Sequence, residues 1–275
     1  MTAASFLFVP AHEPRKVEKA LGAGSDAVIL DLEDAVPDSQ KRAAREAVAA
    51  VPRASNGPER WVRVNSDTRH LESDLQTLNW ETLTGALLPK AENPDTVRLL
   101  EAAGAKRIIL IAESAAGMHA LPELVRSSSR VERCALGTLD LSLDLGLLAV
   151  EDVDDSELMW HIRSKLVLDC RAAGLQAPID GVFVRLDDEA GLRRICERVH
   201  RLGYSGKLLI HPKQIAVANS VFKPDEAEID LAREIVEAYE AAEREGRGAI
   251  QVRGKMVDRP VVERAKSRLE RWGGR

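Results

Sequence analysis

Asp26-Ala27-Val28-Ile29-Leu30-Asp31-Leu32-Glu33-Asp34 is the stretch on which the fold turns. Ala27 to Leu30 are apolar at consecutive positions. A strand covered on both faces reads this way, whereas a strand with one wet face alternates apolar and polar residues. Ile108-Ile109-Leu110-Ile111 repeats the pattern. Around these two, short runs rich in β-formers recur at 5–9, 26–32, 60–65, 85–89, 107–112, 134–137, 179–184 and 206–210. Amphipathic stretches separate them, at 13–21, 38–50, 71–78, 94–103, 118–126, 156–173 and 189–202, with a long one at 226–244. Strand alternating with helix means parallel strands and crossover helices. Eight such units predict an α/β protein, a (β/α)₈ TIM barrel. A doubly wound open sheet is the competitor, but no Gly-x-Gly-x-x-Gly follows the first run.

Helix punctuation agrees with this parse. Asn93-Pro94-Asp95 is a helix entry, with Pro near the first position and an acid in the first turn. Gly104, Gly174 and Gly203 each stand where a helix must stop before the next strand. The 275 residues exceed what the barrel uses. Residues 1–220 are assigned to a TIM-barrel catalytic domain. The remainder, 221–275, is too short for an independent core without help. It is expected to form a C-terminal helical arm that packs on a neighbouring subunit.

Composition narrows the function classes. Hydrophobic residues make up 45% of the chain and aromatics only 4%, so the core is built of Ala, Leu, Val and Ile. A formal charge of −5 argues against a nucleic-acid binder that relies on net positive charge. No apolar run approaches the ~20 residues of a membrane span, and the N-terminus lacks a basic stretch before its short apolar run. The cytoplasm is the expected compartment. Cys134, Cys170 and Cys196 are widely spaced with no Cys-x-x-Cys, and are expected to be buried free thiols.

In a barrel of this kind, catalytic groups gather at the C-terminal ends of the strands. The first run ends in His12, the second in Asp31, Glu33 and Asp34, and the third in Arg63 and Asn65. Lys90, Glu113, Asp140 and His211 follow at later strand ends. Glu113 and Asp140 end consecutive strands, so their carboxylates can meet at one rim. Two carboxylates with open positions beside them suit Mg²⁺, which keeps water and substrate oxygens around it. The alternative is a helix cap or local pair for each. Arg63, among strand apolars, must be paired or face a polar mouth. Its planar fork suits a carboxylate, either a substrate's or that of Asp31, Glu33 or Asp34. The acidic trio can orient Arg63 or metal-bound water. A Schiff-base role for Lys90, a base role for His211 and a substrate contact for His12 each compete with a structural reading.

The ordered set of motifs resembles the HpcH/HpaI aldolase and citrate lyase β-subunit superfamily. They stand here as Phe6-Leu-Phe-Val-Pro10, Asp31-Leu-Glu-Asp-Ala-Val36 with Lys41 and Arg45, and Val62-Arg-Val-Asn65. Leu88-Pro-Lys90, Ala112-Glu-Ser-Ala-Ala-Gly117, Gly137-Thr-Leu-Asp140 and Gly206-Lys-Leu-Leu-Ile-His-Pro-Lys-Gln214 complete the set. The resemblance implies a Mg²⁺-dependent carbon–carbon lyase acting on a coenzyme A thioester. The expected substrate is a 3-hydroxyacyl-CoA of the citramalyl-CoA or malyl-CoA type, cleaved to acetyl-CoA and pyruvate or glyoxylate. Glu113 and Asp140 match the family's metal ligands, with Glu113 also beside substrate. Arg63 matches the arginine that holds a substrate oxygen, and Asp31, Glu33 and Asp34 match the acidic motif around it. Asp258 looks like a C-terminal acid sent into a neighbouring subunit's site. It is equally a plausible N-cap for a helix over 261–271. A homo-oligomer, trimer or hexamer, is implied. Leu139, Ala4 and Ala11-His12 depart from the family's pattern, which leaves the substrate open. A citrate lyase β subunit working on an acyl carrier protein, a malyl-CoA thioesterase, a CoA-independent aldolase and a non-catalytic interaction subunit remain as alternatives.

Overall fold

In the computed structural model, residues 3–52, 56–147 and 156–272 are described. Eight parallel strands close into a barrel in sequence order. They are β1 (Ser5–Pro10), β2 (Ala27–Asp31), β3 (Glu59–Arg63), β4 (Gly85–Leu88), β5 (Ile108–Ala112), β6 (Val131–Leu136), β7 (Ile179–Asp180) and β8 (Gly206–Leu209). β8 returns to β1 through the pairs Ser5–Lys207, Phe6–Leu208 and Leu7–Leu209. The predicted (β/α)₈ barrel is therefore the observed fold. β2 and β5 are buried at every position, as strands covered on both faces must be.

The crossover helices are α1 (Pro14–Leu21), α2 (Lys41–Ala49), α3 (Thr68–Thr77), α4 (Pro94–Ala103) and α5 (Ala115–Leu124). They continue with α6 (Thr138–Asp144), α7 (Glu157–Ala172) and α8 (Glu189–Leu202), and α9 (Ile215–Phe222) follows β8. Polar caps start several of them: Asn93, Ser114, Ser156 and Asp188 each accept a backbone N–H of the first turn. Gly104 and Gly203 end α4 and α8 with φ of 109° and 116°, a left-handed conformation that favours glycine. Inside the barrel, Phe6, Ile29, Trp61, Leu87, Ile109, Ile111, Ala135, Ile179 and Leu208 pack into one apolar column.

β7 is shorter than the apolar run 179–184 predicts, ending at Asp180. That residue is fully buried, pairs with Arg163 of α7 at 2.9 Å and also with Lys207 of β8. Burial opposes its charge, but the two cations outweigh burial and hold its carboxyl below the ordinary range. The ion network ties β7, β8 and α7 together behind the barrel wall.

The chain divides into two compact units, one over Ala3–Asn219 and one from Ser220 onward. In the second, α10 (Glu226–Arg244) begins with a capping box between Asp225 and Glu228. Within the stretch expected as a helical arm, β9 (Ala249–Val252) and β10 (Lys255–Asp258) instead form a hairpin. Its turn residues Arg253 and Gly254 both have positive φ, 47° and 78°, as a two-residue type I′ turn demands. α11 (Arg259–Trp272) closes the unit. Tyr239, Val252, Val257 and Val262 form its small apolar core. Among the described residues no helix is long and apolar enough to cross a membrane.

Candidate active site

The strand register places the first charged pair. Asp31 ends β2 directly beside Arg63, which ends β3. Arg63 donates from Nε to Asp31 Oδ1 at 2.7 Å and from Nη2 to Asp31 Oδ2 at 2.6 Å, a bidentate fork. Its Nη1 lies 2.9 Å from Glu33 Oε2 and 3.7 Å from Asp34 Oδ2. The guanidinium also stacks over the Phe8 ring at 4.8 Å. Burial opposes its charge, yet hydrogen bonding and attraction from Asp31, then Glu33 and Asp34, hold its pKa above the ordinary arginine value. Both readings of Arg63 thus remain compatible: it is ion-paired, and one N–H on each terminal nitrogen stays available to a ligand.

Asp31 also anchors its own loop, accepting the backbone N–H of Glu33 at 2.9 Å and of Ala35 at 3.2 Å. Glu33 reaches the other way, to Lys90 Nζ at 2.5 Å. Burial raises the Glu33 pKa, with Arg63 and Lys90 opposing. For Lys90, burial is outweighed by Glu33, which raises its pKa further. The ammonium is thus held charged, contrary to what a Schiff-base lysine needs. Lys90 has φ of 45°, rare for a residue with a side chain. In that conformation its backbone N–H donates to Glu113 Oε1 at 2.6 Å.

Glu113 follows β5 and is buried. Across from it, Gly137 stands between β6 and α6. A Cβ on Gly137 would lie 2.4 Å from Glu113 Cβ and 2.5 Å from its Oε2. The carboxylate therefore rests against bare backbone. Asp140 sits three residues on, in the first turn of α6. Burial, then the charges of Glu33 and Asp140, push the Glu113 carboxyl up to about 7, against the Lys90 N–H and ammonium. Oxygen donors crowded this way fit a divalent cation, whose charge relieves the repulsion. Among the described residues no three His, Cys, Asp or Glu converge as a metal cluster. Glu113 and Asp140 line the same cleft, and two carboxylates suit Mg²⁺, which keeps water or substrate as its other ligands.

Asp31, Asp34, Arg63, Glu113 and Asp140 line one cleft of about 360 Å³ at the C-terminal mouth of the barrel. Phe8, Ile111, Leu136, Val182, Leu208 and Ile210 supply its apolar wall. Of the expected site residues, only Asp258 belongs to the other unit. It ends β10, and its Oδ1 accepts the Val261 N–H at 3.4 Å, as a helix cap does. His211 accepts from the Lys213 N–H at 3.1 Å, a structural role. Sequence reasoning missed the close approach at Gly137 and the apolar wall. A glycine just before the Thr138-Leu139-Asp140 turn is the signal for the first.

The model of the HpcH/HpaI aldolase/citrate lyase family matches residues 4–212. Among curated relatives, the citrate lyase subunit beta of Leuconostoc mesenteroides subsp. cremoris is 34% identical, covering 95% of this chain and 90% of its own. The mitochondrial citramalyl-CoA lyase of Mus musculus is 32% identical, with 95% and 83% covered. Among solved structures, CitE of Mycobacterium tuberculosis in complex with magnesium, acetoacetate and coenzyme A superposes with a TM-score of 0.80. It is 32% identical, with 99% of each chain covered. A match to the family model over most of the barrel, joined to relatives aligned nearly end to end, leaves one conclusion: the chain belongs to the HpcH/HpaI aldolase/citrate lyase family.

Proposed function

We propose that this protein is a Mg²⁺-dependent carbon–carbon lyase that cleaves a 3-hydroxyacyl-CoA thioester to acetyl-CoA and a 2-oxo acid. The observation that carries the reading is the single cleft in which Glu113 and Asp140 flank Gly137 while Arg63 stands on the same wall. Glu113 and Asp140 would hold the cation, which as a Lewis acid polarises the substrate's hydroxyl and carboxylate oxygens. The similar CitE structure is a complex with both magnesium and coenzyme A.

The chain's own residues then divide the work. Asp31 and Glu33 are occupied by Arg63 and Lys90, so they orient rather than transfer protons. Asp34, with its side chain 56% exposed and its nearest cations 3.7 Å away, is the acid of that loop with open lone pairs. It takes the hydroxyl proton. The C2–C3 bond breaks, the hydroxyl carbon becomes the carbonyl of the oxo acid, and the electron pair moves into the thioester as an enolate. The open N–H groups of Arg63 meet the enolate oxygen. Asp258 of a second copy protonates the enolate carbon, so the active unit would be a homo-oligomer.

The apolar wall of Ile111, Leu136, Val182 and Leu208 favours an oxo acid that carries a methyl group, hence pyruvate and citramalyl-CoA. One methyl in such a wall is worth about tenfold or somewhat more in selectivity. The test is a product assay with Mg²⁺ and a panel of hydroxyacyl-CoA thioesters. Acetyl-CoA as product supports the lyase, and free CoA the thioesterase. The substitutions Glu113→Ala and Asp140→Ala together should abolish metal dependence and turnover. A double variant with unchanged activity removes this site.

A further inference from the structure

Lys41 opens α2, seven residues after Asp34 and a 3₁₀ turn over Asp38–Gln40, and is only 7% exposed. Its Nζ donates to the carbonyl oxygens of Leu32 and Glu33, each at 2.7 Å, and to Asn65 Oδ1 at 2.6 Å. These three contacts saturate an ammonium. All three acceptors are uncharged, and among the described residues Lys41 forms no ion pair. Its place is unfavourable on two counts. A buried lysine without a paired acid is rare, and a cation at the first turn of a helix opposes the dipole.

What this placement achieves is geometric. Two consecutive peptide carbonyls converge on one ammonium, which fixes the turn from which the Glu33 side chain departs. That side chain then reaches Lys90 and, at the cleft, Arg63. The third contact extends the brace. Asn65 donates from its backbone N and from Nδ2 to Asp74 Oδ2, both at 2.8 Å, and Asp74 Oδ1 accepts from Arg45 at 3.2 Å. The loop after β2, the end of β3, α2 and α3 are thereby joined through buried polar groups. Lys41 itself does not line the cleft.

We propose that Lys41 is a positioning residue, which acts through Glu33 to set where the Arg63 guanidinium meets the substrate. The kinetic part of this inference rests on the lyase reading, while the structural part does not. The test compares Lys41→Met, which keeps the chain length and removes the donors, with Val48→Ala. Val48 is a buried residue on the same helix, away from the acidic loop. Each is measured by melting, hydrogen exchange of residues 32–36, and steady-state kinetics with Mg²⁺ titration. Lys41→Met should speed exchange over 32–36 with no change in β5 and β6. It should lower kcat by about a hundredfold, the effect of a ~1 Å misplacement, with the Mg²⁺ half-saturation unchanged. Val48→Ala should lower melting alone. If Lys41→Met behaves as Val48→Ala does at matched melting loss, the proposal is overturned. If Lys41→Met does not fold, Lys41→Arg takes its place and should show the same pattern, since a planar fork cannot reproduce a point donor. A wild-type protein that cleaves no thioester refutes the lyase reading, and the exchange comparison still decides the brace.

Discussion

Replacing Gly137 by Ala adds one methyl group between two parts of the candidate metal site. The backbone there has φ of −91° and ψ of 80°, outside the left-handed region, so alanine brings no positive-φ strain. The effect is steric. The new Cβ would stand 2.4 Å from Glu113 Cβ, 2.5 Å from Glu113 Oε2 and 3.1 Å from Ile111 Cγ2. Ordinary contact begins at 3.4 Å, so Glu113 must retreat by about 1 Å. Its Cβ is fixed to the end of β5, a strand buried along its whole length, which resists the shift. The carboxylate is instead turned from the seat in which Oε1 receives the Lys90 N–H. A misplacement of this size at a reacting centre costs about a hundredfold in rate, or ~2.7 kcal/mol. Calorimetric Mg²⁺ titration and steady-state turnover read it directly, with circular dichroism to confirm the fold. Weaker Mg²⁺ binding and a kcat lower by about two orders of magnitude are expected. Wild-type Mg²⁺ affinity and kcat in a folded Gly137→Ala protein would show that Glu113 does not hold the cation from this position.

Arg63→Lys should lose most turnover while staying folded, because a lysine cannot meet both oxygens of Asp31 and also point an N–H at the substrate; kinetics and melting check it. Asp258→Ser keeps a residue able to cap α11, so unchanged melting with reduced kcat is expected if the acid serves a second copy, and unchanged kcat refutes that role. Asp180→Asn leaves Arg163 and Lys207 buried without their counter-charge and should destabilise the barrel by about 3–5 kcal/mol, measured by denaturant unfolding. The wild-type Asp180 carboxyl lies below the unfolded value of about 3.9. The stability it confers is therefore present above that pH and is lost as pH falls through the folded value. The variant's unfolding free energy should accordingly fall less steeply in acid than the wild type's.

The barrel was legible because its signal is local and repeated. Runs such as 27–30 and 108–111 report burial on both faces without any knowledge of partners. The site's charged members were legible for a related reason: in a parallel barrel, position at a strand end specifies the rim. What pairs with what was not legible. Arg63 and Asp31 are 32 residues apart, and only the β2–β3 register makes them neighbours. The left-handed Lys90 and the close approach at Gly137 depend on distances between separate βα loops, which no run of residues encodes. The β9–β10 hairpin was missed because its turn carries Arg253 where Asn or Asp is the usual cue. α6 was missed because its seven residues are too few for helical periodicity to show.

The brace and the cleft are connected by charge as well as by geometry. Asp31, Glu33, Asp34, Glu113 and Asp140 bring five carboxylates to the mouth and the loop behind it. Arg63 and Lys90 meet them from the front, and Lys41 lies beneath their loop. With every carboxyl ionised, five anions against three cations would leave an excess of two negative charges, the charge of one divalent cation. The excess is not spread evenly. Asp31 and Glu33 are held by direct ion pairs, whereas Glu113 receives only an N–H and the more distant Lys90 charge, and its carboxyl is the one pushed up to about 7. The carboxyl without a direct ion pair is therefore at the Glu113–Gly137–Asp140 corner rather than in the Asp31–Glu33 pair. A second metal at Asp31, Glu33 and Asp34 is disfavoured by the same reasoning, because Arg63 and Lys90 already occupy the positions from which those oxygens would bind it.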